Sequence, residues 1–395
     1  MFPMGRGCPF HPPTRYAQLR ERAPVARVTT PSGQENWLVT SYPLVRQLLV
    51  EPALSSDRTH PGFPMPVPLP AEMKRELDRV SEALLGLDPP RHTAARRMLI
   101  SEFAVRRVRG LRERIQAVVD EAIDAMTAGP RPVDLVEALS LPVPSLVICE
   151  LLGVPYADRD LFQRRAKTIL DRASTLEQRG TAAAELRDYF GELVSSKEAD
   201  PGDDLLGRLI VNNRETGVFD HDGLIGVAML LQLAGHETTA NLISLSVVGL
   251  LENPGQLAAL TADPAPVPQA VEELLRHFTI LDTVYRVALE DIEAGGERIA
   301  SGDGVILSLG SANRDGAVFP DPDRLDIARG GRAHVSFAYG VHQCLGQNLA
   351  RLELEVVLST LFARLPGLRL AVPVDRLPFK EHSDAYGIFE VPVTW

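Results

Sequence analysis

Only three cysteines occur in 395 residues, Cys8, Cys149 and Cys344. Their number is odd, their spacing is wide, and there is no Cys-x-x-Cys, which argues against a disulfide framework or a zinc site. Lysine is scarce as well: it occurs at 74, 167, 197 and 380 only, so the positive charge is almost all arginine. The formal net charge is −11, and an acidic field of that size argues against non-specific binding to DNA or RNA. No apolar run follows the opening Met1-Phe2-Pro3-Met4-Gly5-Arg6. No secretory leader is therefore expected, and a reducing cytoplasm fits the cysteine usage. No Gly/Ser tract, charge block or fixed-period repeat divides the chain, which is expected to form a single domain over residues 1–395. The best candidate for a membrane span, residues 227–251, carries Gln232, His236, Glu237 and Asn241 at its centre. Acid and imidazole at mid-bilayer are costly, so this stretch is expected to be a buried helix of a soluble protein, without membrane contact.

What is present points to a mainly α fold with a small β-rich portion. Residues 25–30 and 36–40 are β-type runs around Pro31-Ser32-Gly33 and predict a hairpin. Prolines at 61, 64, 66, 68 and 70 rule out helix and central strand over residues 59–70, leaving a long loop of the kind that often serves function. A helical pattern runs from about 94 to 217, with breaks at Gly129-Pro130 and Asp200-Pro201-Gly202. Asp222 is positioned to cap the long apolar helix that ends near Asn253-Pro254. About 30 residues at 1.5 Å each would span roughly 45 Å, the width of a domain. Further helices are expected over residues 268–278 and 345–365, a strand near 305–309, and a β-like tail ending at Trp395.

Three segments carry chemistry. In Phe337-Ala338-Tyr339-Gly340-Val341-His342-Gln343-Cys344-Leu345-Gly346, a cysteine sits between two glycines directly before a strong helix. Glycines at 340 and 346 let backbone pass close to a flat ligand. Amides of the first helical turn and the helix dipole favour a thiolate at Cys344. An axial thiolate pushes electron density onto haem iron and favours O–O cleavage. A lone cysteine is otherwise a small, inert apolar residue, which is the reading for Cys8 and Cys149. In Ala234-Gly235-His236-Glu237-Thr238-Thr239, an acid and an alcohol follow a small pair inside an apolar helix. Glycine there costs up to about 1 kcal/mol relative to alanine and suggests close approach of something flat. A buried carboxylate is costly unless paired or working. The plainer alternative is a threonine bonded to its i−4 carbonyl beside a satisfied glutamate, with His236 a helical polar residue and not an iron ligand. Glu273 and Arg276, three apart, share a helical face. Exposed pairs of this kind contribute little, so the weight lies in their position, about 70 residues before the cysteine loop.

Together these segments resemble the cytochromes P-450, with Phe337, Gly340, His342, Cys344 and Gly346 all in register with the family's cysteine-ligand loop. Ala338 departs from it, where the family often has glycine. The resemblance runs from Cys8-Pro9-Phe10 to the C-terminal Trp395. It implies a P-450 fold binding haem b, with Cys344 as the metal ligand. It implies that the Thr238 hydroxyl positions O2, that Glu237 helps deliver protons, and that Ala234 lies against the cofactor. Glu273 and Arg276 would lock to the segment before the cysteine loop, which includes Asn313-Arg314-Asp315 and Phe319-Pro320-Asp321-Pro322. Two propionates need several cationic donors, and the residues implied are His92, Arg96, Arg286 and His342, with His334 as a further candidate.

The resemblance places the substrate pocket in the loop around Phe63 to Leu87, at Leu230, Leu233 and Ala234, at Leu281 to Val284, and at Ile388 and Phe389. These residues are mostly apolar, as would suit an apolar small-molecule substrate; any one of them could equally be plain core. The activity implied is hydroxylation or epoxidation with O2, and the finer likeness is to actinomycete-type enzymes acting on polyketide-, macrolide- or terpenoid-like metabolites. Electrons would come from NAD(P)H through ferredoxin and ferredoxin reductase, since the chain has no flavin or iron–sulfur pattern of its own. Arginines at 91, 96, 97, 106, 107, 109, 112 and 114, opposed in that stretch by Glu102 and Glu113 alone, form a local basic patch suited to an acidic ferredoxin. A haem-thiolate peroxygenase or reductase and a non-catalytic haem protein are rival readings, and the intact Glu237-Thr238 pair argues against both.

Overall fold

The computed structural model describes residues 2–65, 71–170, 174–263, 266–381, 383 and 385–395. The second half of the proline-rich loop, with Pro66, Pro68 and Pro70, lies outside the described residues.

The architecture is mainly helical and is organised around His221–Leu251, an apolar helix of 31 residues about 46 Å long. Its cap is Asp220, whose carboxylate accepts from the Gly223 amide at 2.8 Å, and not the expected Asp222, which lies in the first turn. Both aspartates suit a helix start; the extended backbone of Asp220 decides between them. The helix stops before Asn253-Pro254, where a proline ring would clash with the preceding turn. Helices Pro142–Leu151, Leu176–Ala199, Val267–Phe278 and Gln347–Arg364 pack around it, and their apolar faces form the main core. Near its end Gly249 admits the Phe278 ring: a Cβ there would lie 2.4 Å from Phe278 Cζ. No described helix is long and apolar enough to cross a membrane.

The β portion is a five-stranded sheet in the order Val25–Thr29, Glu35–Val39, Gly304–Ser308, Thr283–Ala288 and Leu54–Ser55. The first two strands are the expected hairpin, with Val25 opposite Val39; the central pairing to Gly304–Ser308 is parallel. The sheet carries its own apolar cluster around Trp37, Val45 and Val305. The C-terminal strand Pro392–Thr394 lies between Val133–Asp134 and Arg369–Leu370, so the helical stretch is interrupted just after the expected break at Gly129-Pro130.

Glu273 and Arg276 form a two-pronged ion pair, Nε to Oε2 at 2.7 Å and Nη2 to Oε1 at 2.8 Å. Each residue is 2% exposed, so this is not a solvated surface pair. Arg276 Nη1 also donates to the carbonyls of Asn313 at 2.9 Å and Pro322 at 2.8 Å. Glu273 Oε1 accepts from the Asp326 amide at 3.0 Å and from Arg329 at 3.3 Å. The pair therefore ties the Val267–Phe278 helix to the chain that runs on to the cysteine loop. Next to it, burial would push the Glu272 carboxyl up, but His334 and Arg351 hold it down at about 2. His334 Nε2 donates to Glu272 Oε2 at 2.9 Å. It is engaged there and not with the other candidate propionate partners.

Candidate active site

The cysteine loop is built by short backbone bonds. The Cys344 amide donates to Phe337 O at 2.8 Å, Gln343 to Gly340 O at 3.0 Å, and Ala338 to Val335 O at 2.8 Å. Ala338 has φ +56°, a left-handed conformation that costs a residue with a Cβ about 1–2 kcal/mol. That is a physical reason for glycine to be favoured there and for alanine, the smallest alternative, to be tolerated. Gly340 has φ +79°, and a Cβ on it would lie 2.7 Å from Val50 Cγ1. Gly346 is different. Its φ is −80°, and a Cβ would meet no protein atom within 4 Å. Neither conformation nor protein packing requires glycine there, whereas a flat group laid against the loop would.

Cys344 retains accessible surface and yet is enclosed enough that burial pushes its thiol up, against the opposing amide of Gly346 and the charges of Arg96 and Arg351. A sulfur both accessible and enclosed lines an interior hollow. Burial opposes the thiolate most strongly, while the amides of Gly346 and Gln347 favour it, as expected of the first helical turn; a bound metal cation would add to them. Cys149 is buried and Cys8 half-buried.

The central helix packs against Gln347–Arg364 and is buried along most of its length, but at its middle Ala234 is exposed and Leu233, Gly235, Glu237 and Thr238 are partly so. Ala234 is the small residue on the open side. A Cβ on Gly235 would lie 3.4 Å from Ile148 Cδ1, an ordinary contact, so packing against helix Pro142–Leu151 does not itself require glycine there. Thr238 Oγ1 donates to Ala234 O at 2.7 Å, the i−4 bond of the plainer reading, and Glu237 Oε1 accepts from Lys380 Nζ at 3.0 Å. The partial exposure of both distinguishes them from core residues. His236 is buried, and that burial lowers its pKa to about 4, keeping the imidazole neutral.

A cluster of two arginines and two histidines adjoins the loop. His92 is 1% exposed, and among the described residues neither ring nitrogen has a partner. Its ring lies 4.0 Å from that of His342, whose Nε2 is 3.1 Å from Ser56 Oγ. Burial and the neighbouring charges of Arg286, His92 and Arg96 drive His342 down to about 3. Arg286 is lowered to about 10 by burial, with Asp88 opposing, and donates to Tyr285 O at 2.7 Å. Arg96 reaches the Gln343 carbonyl at 2.6 Å. Asp88, the one acid in this group, already accepts from the Ser56 amide at 2.9 Å and from Ser55 Oγ. Buried donors with so little counter-charge suit a dianionic ligand. Together with an accessible thiol and a glycine that protein packing does not explain, they fit haem with its two propionates.

Of the expected pocket residues, Leu233, Val284 and Phe389 are half-buried and Leu281 is 38% exposed. Leu230 at 5% and Ile388 at 0% pack in the core. Sequence reasoning missed Ser56 and Lys380; the signal for Lys380 was its rarity, one of four lysines and set in Leu377-Pro378-Phe379. The arginine run is less open than its sequence suggests. Arg107 pairs with Glu102 at 3.1 Å, Arg112 with Glu355 at 3.5 Å and Arg114 with Glu150 at 2.6 Å, while Arg91, Arg97, Arg106 and Arg109 are exposed.

Residues 267–368 match the family model described as Cytochrome P-450. The chain is 48% identical over 394 residues to a pentalenic acid synthase of Streptomyces avermitilis, covering 100% of this chain and 97% of that protein. It is 48% identical over 396 residues to a vitamin D3 dihydroxylase of Streptomyces griseolus, covering 100% and 96%. Among solved structures, cytochrome P-450 MoxA from Nonomuraea recticatena superposes with a TM-score of 0.94 at 53% identity, covering 100% of this chain and 98% of that one.

Proposed function

The chain belongs to the cytochrome P-450 family, an oxygen-incorporating haem oxidoreductase family, and from that premise we propose that it is a haem b monooxygenase acting on a C–H bond or alkene of a large apolar metabolite. The observation that carries this reading is the cluster of Arg96, Arg286 and His342, half-buried, around the buried His92 beside Cys344, with both His92 nitrogens unpartnered among the described residues and Asp88 the acid that faces the group. Cys344 would ligate the iron, and the four cationic or imidazole side chains would hold the propionates. Held there, haem would supply the redox chemistry for activating O2, with two electrons and two protons delivered from outside, so that one oxygen atom enters the substrate and the other leaves as water. Leu233, Leu281, Val284 and Phe389 offer an apolar surface that orients a substrate and excludes water. Two relatives are named for pentalenic acid and vitamin D3 and another for a tylactone-type macrolide, which supports a terpenoid-, macrolide- or polyketide-like molecule here.

Thr238 and Glu237 divide the remaining work. The Thr238 hydroxyl, on the half-exposed face, can leave the Ala234 carbonyl to donate into the hollow, and Glu237 carries protons inward. Thr238→Ala should keep haem and the substrate-induced spin-state shift. The share of NAD(P)H electrons lost as peroxide should rise about tenfold, the scale of one positioned hydrogen bond of ~1.4 kcal/mol. Unchanged coupling of NAD(P)H to product would leave Thr238 a structural role only.

Electrons are proposed to arrive from NAD(P)H through an acidic ferredoxin and its reductase in the cytoplasm. Arg97 and Arg109 are the exposed charges offered for docking, since Arg107, Arg112 and Arg114 are engaged elsewhere. Surface charges are screened beyond about 10 Å at 0.1 M salt, so first-electron transfer should slow as salt rises. Charge reversal at Arg97 or Arg109 should slow it at low salt without weakening substrate binding. Stopped-flow reduction rates indifferent to both would exclude this docking face.

A further inference from the structure

We propose that Lys380 is a positioning residue for the acid Glu237: it holds one carboxylate oxygen from the C-terminal hairpin and leaves the other free at the hollow, coupling the pocket wall to proton delivery. This rests on the reading of Glu237 as the proton-carrying acid.

The geometry is specific. The side chains of Lys380 and Glu237 are 8% and 22% exposed, and an ammonium this enclosed persists only where it is paired. Its Nζ meets Glu237 Oε1 at 3.0 Å and Asn241 Oδ1 at 2.9 Å, two groups one helical turn apart on the same face of the central helix. Asn241 is itself oriented, since its amide nitrogen donates to Ala385 O at 3.1 Å, which turns its oxygen toward the lysine. Among the described residues Oε1 alone of the Glu237 carboxylate is bonded. The carboxylate is thus fixed at one oxygen, with a lone acceptor left over.

The lysine is fixed from the other side by a hairpin that also carries the pocket wall. Its amide donates to Gly387 O at 2.9 Å, and the Phe389 amide donates to Pro378 O at 2.9 Å. Phe379 and Ile388 form a bridge across the same turn. Phe389, half-buried, presents its ring 5.4 Å from the Lys380 ammonium. Gly387 presses on the helix so closely that a Cβ would lie 2.2 Å from Asn241 Cγ. A molecule that displaces Phe389 therefore displaces the group that holds the acid. Lysine acts here as a point charge on a flexible stem, able to follow the carboxylate through small movements of the hairpin.

The test compares holoenzyme variants by the ratio of product to peroxide formed per NAD(P)H. Lys380→Met, which removes the charge and keeps the stem, should lower that ratio severalfold toward the value of Glu237→Gln. Lys380→Arg should restore most of it, and Lys380→Met in the Glu237→Gln background should add nothing. If Lys380→Met does not assemble with haem, Lys380→Gln carries the same comparison. The proposal is overturned if the lysine variant matches the parent while Glu237→Gln falls, or if it lowers the ratio by the same factor in both backgrounds, as a merely structural clamp would. Should Glu237→Gln itself leave the ratio unchanged, the reading of the acid fails first and the proposal with it. A second readout is independent of turnover. With lysine at four positions only, protein labelled with 13C at lysine Cε, as the diamagnetic ferrous carbon monoxide complex, should give a Lys380 resonance identified by its loss in Lys380→Met. That resonance should shift in Glu237→Gln, and a resonance that stays in place overturns the pairing.

Discussion

Arg276→Ala is expected to yield little protein able to hold haem. The substitution leaves Glu273, its side chain 1% exposed, as a buried carboxylate that has lost its two-pronged partner, while Arg329 at 3.3 Å is a poor substitute. Removing one member of a buried ion pair costs about 3–5 kcal/mol, a large part of the roughly 5–15 kcal/mol that keeps a typical domain folded. The carbonyls of Asn313 and Pro322 lose their donor at the same time. Because those residues belong to the chain leading to the cysteine loop, the damage should fall on haem incorporation first. Arg276→Lys should rescue poorly, since a point charge cannot replace a fork that serves Glu273 and two carbonyls together. The measurement is the haem-to-protein absorbance ratio together with the urea midpoint. A normal ratio and midpoint for Arg276→Ala would mean that the pair contributes little despite its burial.

Cys344→Ser is expected to abolish product formation altogether. A serine hydroxyl keeps the shape of the loop and the amide bond to Phe337 O but cannot supply the soft, electron-donating ligand that favours O–O cleavage. The loop backbone, with Ala338 and Gly340 in left-handed conformations, is independent of the side chain at 344. Some haem should therefore still bind through the His92, Arg96, Arg286 and His342 cluster. Cys8→Ser and Cys149→Ser should turn over like the parent, with Cys149→Ser costing some stability because a hydroxyl replaces a fully buried thiol. Retained turnover in Cys344→Ser would remove this cysteine from the chemistry.

How much of this was legible beforehand depended on the range of each interaction. The central helix, the hairpin at 25–40 and the Glu273-x-x-Arg276 pair are local patterns, and they appear within a residue or two of where periodicity and spacing put them. The cap was misplaced because Asp220 and Asp222 are chemically equal there and backbone geometry alone separates them. The cationic cluster draws on residues 92, 96, 286 and 342, brought together by the sheet and the cysteine loop, so composition and spacing could not assemble it; family resemblance did. His334, a further candidate beside these four, is engaged by Glu272 instead, a contact between residues 62 apart that spacing does not reveal. The burial that opposes the Cys344 thiolate is a property of the whole fold, and so is the contact that brings Lys380 to Glu237.

The central claim is that Cys344 ligates a haem iron as a thiolate, and the absorption spectrum of the reduced protein under carbon monoxide tests it most directly. Purified protein reduced with dithionite and exposed to carbon monoxide should show the strongly red-shifted Soret band of thiolate-ligated haem, and the Cys8→Ser and Cys149→Ser variants should show it too. Cys344→Ser should show it no longer. A red-shifted band surviving in Cys344→Ser, or a wild-type band at the position typical of histidine-ligated haem, would contradict the assignment.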